Sequence, residues 1–187
     1  MEARSVDEIP AGHDWQYEPK WDGFRCLAFR DGDKIFLQSK NGQPLARYFP
    51  DVAANVAKLP QQQFVLDGEL VIPVGGALSF DELQLRLHPA ASRVQKLAAA
   101  HPALYVVFDL LAENGKSYLK LNLRDRRQFL ENSRVQTCGG LRTSGSRQPR
   151  LITMLRAIGF GKPGAILTAS LLNVSTRRTR RANALQP

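Results

Sequence analysis

Three strongly apolar segments, each long enough for a strand in a buried sheet, are the feature that most constrains the fold of this chain. A buried strand does not carry a charge without a partner, because removing a charge from water is costly. Carboxylates nevertheless interrupt the second and third segments, and a lysine lies just before the first. The segments are FRCLAFR (24–30), FVLDGELVIP (64–73) and ALYVVFDLL (103–111), with Asp67, Glu69 and Asp109 inside them and Lys20 ahead of the first.

Turn and helix signals surround these segments and indicate the fold class. Asp31-Gly32 predicts a hairpin that joins the first segment to KIFLQS (34–39). Ser79 with Glu82 three residues later is a capping-box pattern at the start of a helix. Strands in hairpins with helices between them predict an α+β fold with mainly antiparallel sheet. Helices are predicted for PDVAANVAKL (50–59), DELQLRL (81–87), AASRVQKLAAA (90–100) and RDRRQFLE (124–131).

The distribution of charge divides the chain into two parts. Residues 1–131 contain 16 Lys and Arg against 17 Asp and Glu, a net charge of −1. Residues 132–187 contain 10 basic residues and no acidic one, although globular segments normally mix both signs. We therefore predict one domain over 1–131. For 132–187 two interpretations stay open: a disordered basic tail, or sequence never selected to fold behind this domain, as after a frameshift.

Cysteine content and hydropathy bear on the compartment and on membrane partners. Cys26 and Cys138 provide no disulfide framework and no metal-ligand cluster, which favours a reducing intracellular compartment. No apolar run reaches the roughly 18 residues that a membrane span requires. We expect no membrane partner.

Lys20 is the residue whose setting most needs an explanation. It lies between Pro19 and Trp21 and is followed by Asp22-Gly23. One interpretation is structural: Lys20 forms a buried or half-buried ion pair with Glu69. The other is chemical: the amine is a nucleophile. A free lysine has a pKa of about 10.4, and neighbouring cations with partial desolvation lower it.

The segment EPKWDGFR (18–25) resembles motif I, Lys-x-Asp-Gly-x-Arg, of the covalent nucleotidyltransferases, which are ATP-dependent DNA ligases, RNA ligases and mRNA capping enzymes. Further segments similar to the ligases follow in the family's order. The similarity is strongest to bacterial ATP-dependent DNA ligases of the ligase C type and to the ligase domain of DNA ligase D, over about residues 14–131. The matching segments are LQSKNGQPLARYFPDV, LDGELVIP, FDELQLRLHPAASRVQKLA and LYVVFDLL.

The resemblance implies a role for each matching residue. Lys20 would attack the α-phosphate of ATP and become Lys–AMP, and the AMP would then pass to the 5′-phosphate of nicked double-stranded DNA, with Mg²⁺ assisting. It also implies a monomer in the bacterial cytoplasm, associated with the nucleoid. The other implied roles are adenine contact for Glu18, a sugar or phosphate contact for Arg25, ribose or metal contact for Glu69, stacking on adenine for Phe108, and shaping of the lysine loop by Asp22 and Gly23.

The sequence departs from the family pattern in two respects. Lys40 stands where the family usually has arginine, which predicts a weakened phosphate contact, since lysine lacks the planar fork of the guanidinium. The family's later metal-binding glutamate segment, its Lys-x-Lys strand and its OB-fold domain have no counterpart in 132–187, where Lys162 is the only lysine. We therefore expect a truncated or frameshifted adenylation domain of doubtful activity. Resequencing of the locus tests this expectation.

Two alternatives to a DNA ligase remain at the level of sequence. The first is an RNA ligase or a capping-type nucleotidyltransferase, which shares the lysine chemistry. The second is a non-catalytic nucleotide- or DNA-binding remnant, in which RRTRR at 177–181 holds phosphates non-specifically.

Overall fold

The structure, a computed structural model of the 187-residue chain, describes residues 15–19, 21–133, 141–143 and 167–171. Side chains are described for 21–133. The four helices of the described part are α1 Pro50–Ala57, α2 Phe80–Arg86, α3 Ala91–Ala100 and α4 Leu123–Asn132. Its strands are β1 Trp15–Pro19, β2 Phe24–Asp31, β3 Lys34–Ser39, β4 Gln63–Val71, β5 Pro73–Val74, β6 Ala77–Leu78, β7 Leu104–Glu113, β8 Lys116–Ser117, β9 Leu141–Thr143 and β10 Leu167–Leu171.

A six-stranded sheet organises the described residues, in the order β3-β2-β4-β7-β8, with β9 also pairing β7. All of its pairings are antiparallel except the short parallel contact of β7 with β9. The described residues also form two small, separate antiparallel pairs, β1 with β10 and β5 with β6. The predicted α+β class with mainly antiparallel sheet is confirmed.

One face of the sheet forms the hydrophobic core. Cys26 and Ala28 of β2, with Leu66 and Leu70 of β4, are fully buried there. Helix α1 covers them with the side chains at 52 and 56, its inward positions at helical spacing. Because side chains alternate along a strand, the residues between these apolar ones point to the opposite face. The charged residues of the predicted site lie on that second face.

The β2–β3 turn lies where the sequence predicts it, whereas the strand formed by the second apolar segment ends before the predicted residue. Gly32 has φ 59° in the turn between β2 and β3, a conformation that favours glycine. Strand β4 ends at Val71 instead of continuing through Pro73. Proline has no N–H to continue a ladder, and Pro73 instead begins the short β5–β6 hairpin around Gly75-Gly76.

Two buried arginines join the helices to the sheet and to each other. Arg30 of β2 donates from Nε to the carbonyl of Gly32 and from Nη1 to the carbonyls of Val56 and Leu59, so it satisfies carbonyls at the end of α1. Arg86 of α2 is 0% exposed and donates to both carboxylate oxygens of Asp51, at 3.3 and 2.8 Å. This pair ties α2 to α1.

The range 132–187, predicted as a tail, contains the backbone of two short strands, β9 and β10. Residues 134–140, 144–166 and 172–187 lie outside the described part, so the interpretation of this range stays a prediction. Among the helices that the structure describes, none has both the length and the apolar character needed to cross a membrane.

Candidate active site

Arg25 and Asp67 form the central ion pair of the charged face. Nε of Arg25 donates to Oδ1 of Asp67 at 3.0 Å, and Nη2 donates to Oδ2 at 2.6 Å. The bidentate fork fixes the guanidinium plane. Arg25 sits on β2 and Asp67 on the neighbouring strand β4, and this hydrogen bond is the main reason why the pKa of Arg25 is raised. The buried charge of Asp67 thus has its partner.

Phe108 lies beside this pair because β7 is irregular there. Asp67 of β4 is opposite Asp109, whereas Gly68 is opposite Val107, so Phe108 has no counterpart on β4. The guanidinium carbon of Arg25 lies 5.6 Å from the centroid of the Phe108 ring, within cation–π range. Only 7% of Phe108 is exposed, so a base stacks on its ring only if neighbouring atoms move aside.

Asp109, the next residue, is held by an arginine from α4. Nε and Nη2 of Arg126 each donate to an oxygen of Asp109 at 2.9 Å. Nη1 of Arg126 donates to the carbonyl of Leu121 at 2.7 Å. The carboxylate is only 2% exposed, and this bidentate pair compensates for its burial.

Glu69 is the carboxyl whose ionisation is most altered. It lies opposite Arg25 in the β2–β4 register. The pKa of Glu69 is raised to about 7: burial is the largest cause, Asp67 and Asp22 also raise it, and Arg25 and a hydrogen bond with the Gly23 backbone partly oppose the rise. Near neutral pH this carboxyl can therefore exchange a proton or accept a cation.

Gly23 allows the loop before β2 to approach β4 closely. A Cβ at this position would overlap the carbonyl oxygen of Leu70 and would lie 2.8 Å from Cγ of Glu69. No side chain larger than hydrogen fits without movement of β4. The predicted role of Gly23 in shaping the loop is consistent with this contact, and Asp22 beside it is exposed.

Lys40 lies at the same end of the sheet as Arg25 and Glu69. It directly follows β3, whose last residue, Ser39, is opposite Cys26. Lys40 is exposed, and Gly42 in the turn after it has φ 82°. A ligand at this end would meet one lysine from the β3 turn. The placement suits a phosphate contact.

Two of the predicted residues cannot be placed. Lys20 lies outside the described residues, and Glu18 is described only as backbone within β1. Neither the predicted nucleophile nor the alternative ion pair of Lys20 with Glu69 is therefore tested. The structure brings Arg25, Glu69 and Phe108 together on one face, with Asp22, Gly23 and Lys40 at the same end.

Arg126 is a member of the charged cluster that the sequence analysis did not identify. The segment RDRRQFLE contains three arginines, and no local signal shows which one meets the sheet. Asp67 and Asp109 were recognised as charges that need partners, but their arginines were not assigned. Because Asp67 and Asp109 lie in two different apolar strands, the sequence could have predicted that each carboxylate needs its own cation.

Glu69 and Asp22 are the carboxylates that would hold a magnesium ion at this site. Among the residues that the structure describes, no group of three or more His, Cys, Asp or Glu could hold a metal. Glu69 and Asp22 interact electrostatically. Magnesium commonly binds through one or two carboxylates and substrate phosphates while it keeps several waters. Glu69 and Asp22 would supply carboxylates of this kind.

Comparison with known proteins identifies the class of fold and site. The profile of the family described as "ATP dependent DNA ligase domain" matches residues 2–150. The match includes every predicted site residue and extends past the end of α4. The chain belongs to the ATP-dependent DNA ligase family.

Individual relatives agree with this assignment. The chain is 48% identical over 134 residues to DNA ligase C2 of Mycolicibacterium smegmatis, covering 71% of this chain and 37% of the relative. It is 47% identical over 131 residues to DNA ligase C of Mycobacterium tuberculosis, covering 70% and 36%. The chain thus spans somewhat more than a third of the length of these curated relatives.

Solved structures show the same similarity in three dimensions. The ligase domain of LigD from M. tuberculosis superposes with a TM-score of 0.53 at 27% identity, covering 69% of this chain and 39% of that chain. A mycobacterial DNA ligase D complexed with ATP and MES gives a TM-score of 0.52 at the same identity and coverage. The fold that carries the charged face is therefore similar to the fold of these ligases.

Proposed function

We propose that this chain carries the adenylation site of an ATP-dependent DNA ligase and performs the first step of ligation. The observation that supports this most is the cluster of Arg25, Asp67, Glu69 and Phe108 on one face of the sheet, next to the loop that follows Lys20. These residues come from β2, β4 and β7, so the fold, and not the sequence order, brings them together.

In the proposed step the neutral amine of Lys20 attacks the α-phosphorus of ATP. A nitrogen–phosphorus bond forms, the bond from the α-phosphorus to the oxygen of the β-phosphate breaks, and pyrophosphate leaves. The proton of the amine passes to solvent or to a nearby base. The product is a lysine that carries AMP.

The described side chains orient the nucleotide in this proposal. Phe108 offers an aromatic face to adenine once the atoms that cover its ring move aside. Stacking on an aromatic ring stabilises a bound base whatever its identity. Lys40 meets a phosphate at the open end of the sheet. Glu69 contacts the ribose hydroxyls, or, with Asp22, holds the magnesium ion. When bound, that ion neutralises developing phosphate charge.

The later steps are proposed for a nick in double-stranded DNA. An oxygen of the 5′-phosphate displaces Lys20 from AMP, and the 3′-hydroxyl then displaces AMP to seal the strand. The proposed setting is the bacterial cytoplasm, at the nucleoid. Residues 132–187 contain no Asp or Glu, so they supply no metal-binding glutamate of the kind that the resemblance implies, and we expect slow adenylation.

Transfer of label from ATP tests this proposal. The full chain is incubated with Mg²⁺ and ATP labelled at the α-phosphate, beside Lys20→Ala and, as a matched control, Lys116→Ala in exposed β8. We expect label on the wild type and on Lys116→Ala and none on Lys20→Ala. GTP labelled at the same position should give little transfer.

Two results contradict the proposal in different ways. Preferred transfer from GTP would favour a capping-type enzyme. Folded wild-type protein that acquires no label would favour a non-catalytic remnant, which could still bind ATP or DNA.

A further inference from the structure

Asp67 and Asp109 are two buried carboxylates in direct cross-strand register. They are paired between β4 and β7 and are 4% and 2% exposed. Like charges directly opposite each other on neighbouring strands repel. Each carboxylate therefore needs its own cation, and the two cations lie on opposite sides of the pair: Arg25 on β2 and Arg126 on α4.

Arg126 is also bound on the side away from Asp109, by the backbone at the start of α4. Its Nη1 donates to the carbonyl of Leu121, in the loop that precedes α4. The start of α4 is capped by Asn122, whose side chain accepts a hydrogen bond from the Asp125 N–H at 2.9 Å. The position of the Arg126 guanidinium is thus restrained by the start of α4 as well as by Asp109.

We propose that Arg126 is a positioning residue for the adenylation site: by neutralising Asp109, it keeps Asp67 as the partner of Arg25 and so holds the Arg25 guanidinium beside the ring of Phe108. This inference rests on the proposed function. Arg126 acts only through Asp109, Asp67 and Arg25, so it is not a catalytic residue.

Removal of Arg126 has a defined consequence in this arrangement. Asp109 would remain buried without its cation, and the next arginine in the row is Arg25. Arg25 would then be shared between the two carboxylates, because a buried charge without a partner is costly. The Arg25 guanidinium would leave its present position over Phe108.

Nuclear magnetic resonance on the full chain tests the inference without relying on activity. We would compare wild type with Arg126→Gln, with the double variant Asp109→Asn/Arg126→Gln, and with Arg124→Gln, which removes an exposed charge on the same helix. The readouts are the Nε–H resonance of Arg25 and the rate of Lys–AMP formation at saturating and at limiting ATP.

The single variant is expected to move the Arg25 resonance and to slow adenylation about tenfold. The double variant should restore the Arg25 resonance and most of the rate, because it leaves no carboxylate unpaired. Arg124→Gln should match the wild type in every readout.

An unchanged Arg25 resonance in folded Arg126→Gln would overturn the inference, even if adenylation slowed. If that variant does not fold, the double variant decides: a folded double variant with a displaced Arg25 resonance also overturns it. Wild type that forms no Lys–AMP contradicts the proposed function, and the resonance readouts still decide the role of Arg126.

Discussion

Asp67 and Asp109 face each other across β4 and β7, and each carboxylate is bound by a different arginine. The row Arg25–Asp67–Asp109–Arg126 therefore has no net charge. Asp67 neutralises the charge of Arg25, so we expect most of the positive charge that a triphosphate needs to come from other groups. In our account Lys20, Lys40 and a magnesium ion provide that charge.

Asp67→Asn tests the ion pair that orients Arg25. The amide keeps the size of the side chain but removes the charge that Arg25 faces, so we expect a loss of about 1–2 kcal/mol in the free energy of unfolding, given partial exposure of the pair. Adenylation should fall at least tenfold. Urea denaturation and the rate of Lys–AMP formation measure both effects. Asp33→Asn, in an exposed turn, is the control, and equal behaviour of the two variants would refute the assigned role.

Glu69→Gln tests the altered ionisation of Glu69. Its pKa is about 7 in the folded protein against an ordinary value of 4.5. Between these values the folded state binds more protons than the unfolded state, so this group lowers stability as pH rises from about 4.5 to 7 and adds no further slope above that.

The glutamine variant lacks this slope, so its stability relative to wild type should increase by about 2 kcal/mol between pH 5 and pH 8. Urea denaturation without ATP or Mg²⁺, at several pH values, measures the difference. Parallel stability profiles for the two proteins would show that Glu69 ionises as an ordinary carboxyl.

Gly23→Ala tests the close approach of the lysine loop to β4. The added methyl group overlaps the Leu70 carbonyl, and overpacking of this kind costs about 2–3 kcal/mol. Gly75→Ala is the comparison, since it has φ 58° and no atom within 4 Å of the new methyl, so only backbone strain of about 1–2 kcal/mol is expected. Thermal and urea unfolding rank the two variants. A smaller loss in Gly23→Ala would count against the tight contact.

Arg86→Met tests the buried pair that joins α1 and α2. The substitution leaves Asp51 partly buried without its cation, and we expect a loss of about 3–5 kcal/mol in unfolding free energy. Arg93→Met, at an exposed position of α3, should change stability by less than about 0.5 kcal/mol. If the two arginine variants had equal stability, the Arg86–Asp51 pair would contribute nothing to the fold.

The fold was largely predictable because its signals are local. The apolar runs and the Asp31-Gly32 turn predicted β2, β3, β4 and β7, and the Ser79 capping pattern predicted the start of α2, where Ser79 Oγ accepts from the Glu82 N–H. The end of β4 at Val71 was missed, because the apolar run continues through Ile72 and Pro73.

The pairing of charges was not predictable in the same way. Asp67 and Arg25 are 42 residues apart, and Asp109 and Arg126 are 17 apart. Which arginine meets which carboxylate depends on strand order and on the irregular register at Phe108. Sequence patterns specify neither of these, although they do show that buried carboxylates need partners.

The position of AMP on the protein tests the central claim most directly. The full chain is incubated with ATP and Mg²⁺, its intact mass is measured, and the modified peptide is mapped, with Lys20→Ala and Lys116→Ala alongside. We predict the mass of one added AMP, located on Lys20 and absent from the Lys20→Ala variant. Folded wild type without an adduct, or an adduct on a lysine other than Lys20, would contradict the account.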